Sequence, residues 1–405
     1  MIEFDAYSPD FVADPYPTYA RFRDESPVFF DPHWDVTFFA RHPDVSGILR
    51  DRRFGRDVRS RVPVEEIDAE VLARIYPADI PTWTSYVRDS FIDLEPPAHT
   101  RIRRLVQWAF TRKASESYRP RLEEVAARSI DQALDRGSME AIADFATPIP
   151  LTMIADLLGI PTADQPMLVA WSHAMIRPFD ADCPLEDRVA AEQATKDFVA
   201  YLTAMTRDRR AEPGNDLLSE LVAAEIDGDS LSEAEVVATA ILTLNAGHEA
   251  TVQAIGNGLL AFAQFPDQFA LLRTDPDLVA ASAGEILRFD TPLQMFERWV
   301  LEDVDWNGTQ LRRGTKVGLL FGSANRDEAA FEDAQTFDIA RDSRAHLAFG
   351  AGIHHCVGAP LAKLELEVAM EAIRRLPRLE LAQETLERVP SLVFRGVREL
   401  RLVVS

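Results

Sequence analysis

The sequence predicts a mainly α-helical fold carrying small β-sheets. Three observations predict it. Apolar residues recur at three- and four-residue spacing over Leu122–Leu134 and Glu192–Thr206, the mark of helices with one buried face. Ser232-Glu233-Ala234-Glu235 is a capping-box pattern, in which serine and glutamate side chains satisfy free N–H groups at a helix start. Strand signals are short and few, and they cluster near the two ends of the chain.

The capped helix can run to about Gln264, where Phe265-Pro266 stops it. At 1.5 Å per residue it is about 48 Å long, enough to cross a domain. Its first half, Val236–Leu244, is apolar on almost every face, so it is expected to be buried. Ala359–Leu376 reads as a second amphipathic helix. Among the strands, Pro27-Val28-Phe29-Phe30 and Val36-Thr37-Phe38-Phe39 flank the turn-like Asp31-Pro32-His33. Arg298–Trp306 and Thr309–Leu320 flank Asn307-Gly308, the strongest two-residue hairpin signal. Asn307-Gly308-Thr309 also matches a glycosylation sequon, but the hairpin reading is preferred in a chain without a secretion signal. Val58–Leu94 and Ile176–Glu186 read as irregular, mixing aromatics with Pro and Asp. Such long segments are often lids or binding loops.

The chain has 405 residues, 47% hydrophobic and 27% charged, an ordinary globular make-up. Its net charge of −23 argues against nucleic acid or anionic membrane surfaces as partners. Cys183 and Cys356 are the two cysteines, too few for a disulfide framework or a Cys-rich zinc or iron–sulfur module. The N-terminus is acidic and broken by prolines, unlike a signal peptide. No apolar run approaches the roughly 20 residues needed to span a bilayer. A cytoplasmic protein is expected.

The most informative stretch runs from His346 to Ala362. Gly350, Gly352 and Gly358 stand around Cys356, just before the helix at Ala359. A thiol at a helix N-terminus is favoured as a thiolate, because the helix dipole and free N–H groups stabilise negative charge. Such a thiolate suits a metal ligand or a nucleophile, whereas a lone cysteine is more often an inert buried residue. The full pattern, Phe349-Gly-x-Gly-x-His354-x-Cys356-x-Gly358-x-x-Leu-Ala, resembles the haem-binding loop of the cytochrome P-450 family at every position. The resemblance implies haem b as cofactor, bound at Phe349, Cys356 and Gly358, with Cys356 as the axial thiolate. Such a ligand favours O–O cleavage. It also implies the family's fold in one domain over residues 1–405, with haem between the long helix and the Cys-loop helix.

Other segments match at family spacing. Glu285-Ile-Leu-Arg288 resembles the ExxR motif, and Arg341 the arginine that completes its network; both are structural roles. His99 and Arg103, one helical turn apart, resemble partners of the haem propionates, as do Arg298 and His354. The segment Asn245–Thr251 resembles the oxygen-activating part of the long helix. There Ala246 and Gly247 border the oxygen groove and Glu249 relays protons. The usual threonine position holds Ala250; Thr251, kept with Glu249, Gly247 and Ala246 among the catalytic candidates, follows it about 100° around the helix. Three readings follow: a substrate hydroxyl and a bound water supply the donor, which is preferred; protons are delivered differently or peroxide is used; or the reaction is poorly coupled.

The resemblance places a substrate pocket at Trp83, Tyr86, Val87 and Phe91 in the first irregular segment. Met175, Ile176 and Phe179 add to it, with Leu242, Asn245 and Ala246 from the long helix. Leu293, Gln294 and Phe296 follow the ExxR helix, and Leu392 and Val393 lie near the C-terminus. An apolar pocket with a few polar anchors suits a lipophilic small molecule. The implied reaction is hydroxylation or epoxidation with O2 and two electrons. With no flavin or iron–sulfur module in the chain, a ferredoxin- or flavodoxin-type donor is expected, docking at Arg101, Arg104, Arg112 and Lys113. The rival readings are a peroxide-driven or non-turnover haem protein, and a hydrolase using Cys356 with His354 or His355. A zinc hydrolase is weaker, since His248-Glu249 lacks the second histidine of HExxH.

Overall fold

The capping box at Ser232 forms as its spacing predicts. Glu235 N donates to Ser232 Oγ at 3.2 Å, and Ser232 N donates to the Glu235 carboxylate at 2.8 Å. It opens a helix of 32 residues, Glu233–Gln264. Phe265 ends it and caps the next helix, Pro266–Thr274. The structure, a computed structural model, describes residues 4–179 and 183–405. It is mainly helical with small sheets. Among the described residues no helix is long and apolar enough to cross a membrane.

Two compact units make up the chain. One holds Met1–Phe54, Ser115–Pro150 and Ala250–Ser405; the other holds Gly55–Ala114 and Leu151–Glu249. The long helix contributes residues to both.

The first unit contains the larger sheet. Val28–Asp31 pairs antiparallel with Val36–Phe39, as the sequence predicts, and the Asp31 carboxylate accepts from the turn amides of His33 and Trp34. Lys316–Leu320 lies parallel to Val36–Phe39 and antiparallel to Met295–Val300. The expected long hairpin about Asn307-Gly308 is shorter than its apolar arms suggest. Leu301 N donates to Arg53 O at 2.8 Å, and Gly314 N to Val300 O at 2.8 Å, with Gly314 at φ +84°. The arms therefore divide into this sheet and a separate small hairpin, Val304–Trp306 with Thr309–Leu311. Both residues at its tip, Asn307 and Gly308, have positive φ, which the tight turn requires.

Helices enclose the rest of this unit. Leu122–Leu134 extends to Arg119–Arg136, closed by Gly137 at φ +72°. It packs on Ala359–Ile373, which also packs on Val279–Phe289. Tyr16, Tyr19, Phe22 and Phe38 share an apolar cluster with Met295 and Leu392.

The second unit departs from expectation in two places. Val58–Leu94 is not wholly irregular: Ala69–Ile75 is helical, capped by the Asp68 carboxylate, which accepts from Glu70 N and Val71 N. Glu192–Thr206 extends to Leu185–Ala211, starting inside the segment expected to be irregular. Pro184 at its N-cap and Glu186 and Asp187 in its first turn are favourable start signals, the acids matching the helix dipole. The middle of Ile176–Glu186, residues 180–182, lies outside the described residues.

Candidate active site

The Cys356 loop is built by hydrogen bonds and glycines. Cys356 N donates to Phe349 O at 3.0 Å, closing the loop on itself, and Gly350 N donates to Leu347 O at 2.8 Å. Gly352 has φ +73°, and a Cβ there would lie 2.2 Å from Leu49 O, so no side chain fits. Gly350, at φ +64°, has nothing within 4 Å of its Cβ position. Gly358 caps Ala359–Ile373, leaving Cys356 two residues outside that helix N-terminus. The thiol is exposed, whereas Cys183 is buried. Of the two cysteines, Cys183 has the setting of an inert core residue and Cys356 that of a presented thiolate.

Behind the loop, the Glu285/Arg288 pair is far from an ordinary surface ion pair: both side chains are 0% exposed. Arg288 Nε and Nη2 donate to the two Glu285 oxygens, each at 2.7 Å. Its remaining donors reach Asn325 O at 2.9 Å, Ala334 O at 2.8 Å and Thr336 O at 3.0 Å. Asp338 N donates to Glu285 at 3.0 Å, and Arg341 Nε lies 3.5 Å from it. The network ties the helix Val279–Phe289 to the chain leading into the Cys356 loop.

The proposed propionate partners fall in each unit. In the first, Arg298 is buried on the strand Met295–Val300 and His354 is half-buried in the Cys356 loop. In the second, the helix Ala98–Val106 carries His99, buried, and Arg103, half-buried, on one face. A presented thiol, an open glycine beside it and a buried cation within the first unit fit a planar, anionic, thiolate-bound group.

The long helix changes character at the expected place. Val236–Leu244 is largely buried, yet Ala246 is exposed and Asn245, Gly247, Glu249 and Ala250 are half-buried around a buried His248, before continuous burial resumes at Thr251. Gly247 has a packing reason too, since a Cβ there would lie 2.5 Å from Ile154 Cδ1. Glu249 Oε2 lies 3.6 Å from His173 Nε2. Burial pushes the His248 pKa below its ordinary value.

Thr251, in the expected catalytic set, opens the largely buried second half of the long helix. Its side chain is buried and hydrogen-bonded to Glu365 of the helix Ala359–Ile373. Glu365 is itself buried, and burial holds its carboxyl well above the usual carboxylate range. The sequence did not single out Glu365. Its signal was a carboxylate on the apolar stripe of an amphipathic helix, between Leu361, Leu364 and Val368.

Three expected pocket residues make defined contacts within their own units. Leu392 sits in the aromatic cluster around Tyr19 and Phe38. Gln294 is buried, with Nε2 donating to Thr291 O at 2.7 Å and its amide N to Val393 O at 2.8 Å. Trp83 is buried with Nε1 donating to Met175 O at 2.8 Å, while the Glu192 carboxylate accepts from Thr82 N and Trp83 N. Phe179 is exposed and stands edge-on to Trp83, with ring centroids 5.2 Å apart. Val87 and Phe91 are buried; Tyr86, Ile176, Leu242 and Asn245 are half-buried in the second unit, as are Leu293, Phe296 and Val393 in the first.

Half of the basic segment is already neutralised. Arg101 pairs with Asp229 and Glu235, and Arg104 lies 3.4 Å from Asp227. Arg112 and Lys113 are exposed.

Comparison with known proteins agrees with this geometry. The cytochrome P-450 family profile matches residues 73–391. The chain is 35% identical to the cytochrome P-450 monooxygenase PikC of Streptomyces venezuelae, over 99% of its own length and 93% of that protein's. It is 35% identical to the 6-deoxyerythronolide B hydroxylase of Saccharopolyspora erythraea, covering 98% of this chain and 97% of that one. A solved epothilone D-bound cytochrome P-450 superposes with a TM-score of 0.90 at 28% identity, covering 100% of both chains.

Proposed function

The chain belongs to the cytochrome P-450 family and is a haem-dependent monooxygenase, and from that premise we propose that Cys356 is the thiolate holding the haem iron. The observation that carries this is an exposed thiol just outside the N-terminus of Ala359–Ile373, in a loop closed by Cys356 N donating to Phe349 O. Phe349 and Gly358 frame the loop, and Arg298, His354, His99 and Arg103 hold the propionates by charge-assisted hydrogen bonds. When bound, haem supplies the activation of dioxygen and its transfer to carbon.

The substrate is a lipophilic small molecule bearing a few oxygens, in line with the 6-deoxyerythronolide B and epothilone D named for two relatives. Trp83, Val87, Phe91, Ile176, Phe179, Leu242, Leu293, Phe296, Leu392 and Val393 supply its apolar contacts, and Tyr86, Asn245 and Gln294 its polar anchors. Binding-induced Soret shifts across a panel of such compounds test this class. Shifts confined to unrelated small polar molecules would contradict it.

Proton handling rests on Glu249, with Ala246 and Gly247 beside it. Ala250 provides no hydroxyl, and the Thr251 hydroxyl is committed to Glu365. The donor missing at position 250 is therefore supplied by a hydroxyl of the substrate and a bound water. Ala250→Thr is expected to change the ratio of product formed to O2 consumed by less than about twofold with the true substrate, a barrier shift under about 0.4 kcal/mol. A gain of about tenfold would reject substrate assistance.

Electrons come from an external ferredoxin- or flavodoxin-type carrier, with the 405 residues acting as one catalytic domain. The docking role falls to Arg112 and Lys113, since Arg101 and Arg104 are paired within their own unit. Reversing both charges to glutamate is expected to slow reduction severalfold at low salt and to leave substrate affinity unchanged, because exposed charges act mainly on association rates. Unchanged reduction kinetics would exclude this patch.

A further inference from the structure

His248 and Glu249 are adjacent in the long helix, and no second histidine lies one turn further along. A different helix supplies one. His173 sits in the last turn of Gln165–Ile176, and its Nε2 lies 3.6 Å from Glu249 Oε2. One ligand atom from each of His173, His248 and Glu249 falls within 4.8 Å of the other two. His248 is 2% exposed, and neither of its ring nitrogens has a hydrogen-bond partner among the described residues. Leaving a buried polar group unmatched costs about 1–3 kcal/mol. A role in which one of those nitrogens is used would account for its position.

We propose that His173, His248 and Glu249 form a binding site for one borderline divalent transition-metal ion, of the zinc or copper class. Two imidazole nitrogens and one carboxylate oxygen are the donor set such ions take, with a fourth position left for water. Hard ions such as magnesium and calcium prefer an all-oxygen shell and do not match it. The distances are close to what coordination needs. Bonds of about 2.1 Å in a tetrahedron put neighbouring ligand atoms about 3.4 Å apart. The His173–Glu249 distance is 3.6 Å, and the remaining separations have to close by up to about 1.4 Å to reach the same tetrahedral spacing. His173 is 58% exposed, so its ring is free to turn inward. A bound ion would tie the end of Gln165–Ile176 to the long helix and hold the Glu249 carboxylate. The site itself does not depend on the haem assignment; only the consequence for Glu249 does.

The test uses the full-length, haem-loaded protein, stripped with a chelator and titrated with zinc chloride in a calorimeter. Copper(II) electron paramagnetic resonance reports the nitrogen ligands. One ion per chain is expected, with two imidazole nitrogens in the copper spectrum. His173→Ala, which removes an exposed side chain, is expected to weaken zinc binding by at least about 10-fold, and Glu249→Gln likewise. Absence of one-to-one binding, or an affinity that His173→Ala leaves unchanged, overturns the proposal. The reduced, CO-bound spectrum of the same samples reports haem ligation separately, so failure of one assignment is distinguishable from failure of the other.

Discussion

Replacing Arg288 with alanine is expected to destabilise the protein by about 3–5 kcal/mol, because it strands a buried carboxylate. Arg288 and Glu285 are both 0% exposed. The guanidinium holds both Glu285 oxygens and the carbonyls of Asn325, Ala334 and Thr336. Its removal leaves three carbonyls without that donor and leaves Glu285 with Arg341 at 3.5 Å as its nearest cation. A typical domain is stable by only about 5–15 kcal/mol, so poor folding yield is a second readout. Urea unfolding measures the loss directly, provided the slope with denaturant is unchanged. Arg288→Lys keeps the charge but loses the planar fork, and is expected to remain damaging. A loss below about 1 kcal/mol for Arg288→Ala would mean that the network does not brace the loop.

Cys356→Ala is expected to abolish monooxygenase turnover while leaving the fold intact. The thiol is small and exposed, so the loss falls on haem ligation and on the stability that bound haem adds to the folded chain. Cys183→Ala is the matched control: it removes the buried thiol and is expected to keep full activity. Product formation and thermal unfolding of both variants separate the two roles. Retained turnover in Cys356→Ala, or lost turnover in Cys183→Ala with the fold unchanged, would reverse the assignment of the two cysteines.

Local chemistry made much of this legible in the sequence. The capping box at Ser232, the stop at Phe265-Pro266 and the Asn307-Gly308 turn each act within a few residues, and each formed as its residues predict. The Cys356 loop was readable for the same reason: its glycines and the helix start that follows lie within a dozen positions.

What escaped depends on long-range partners. The short helix Ala69–Ile75 was hidden because seven residues carry little periodicity, although Asp68 was a readable cap. Gln294 and Leu392 are pocket candidates by family resemblance, and their contacts, with Val393 and the Tyr19 cluster respectively, join distant parts of the chain that local spacing does not relate. Arg101 and Arg104 read as a basic patch until Asp227, Asp229 and Glu235 arrive from more than a hundred residues away. The Thr251–Glu365 contact likewise joins two helices that no local spacing relates. His173 meets His248 and Glu249 in the same way.

The central claim is that Cys356 presents a thiolate to haem iron. The absorption spectrum of the reduced, CO-bound protein tests it most directly, measured beside Cys356→Ala. The account predicts a Soret band at the thiolate-ligated position in the unaltered chain and its absence in the variant. A protein that takes up no haem, or one whose thiolate-type band survives Cys356→Ala, would contradict it.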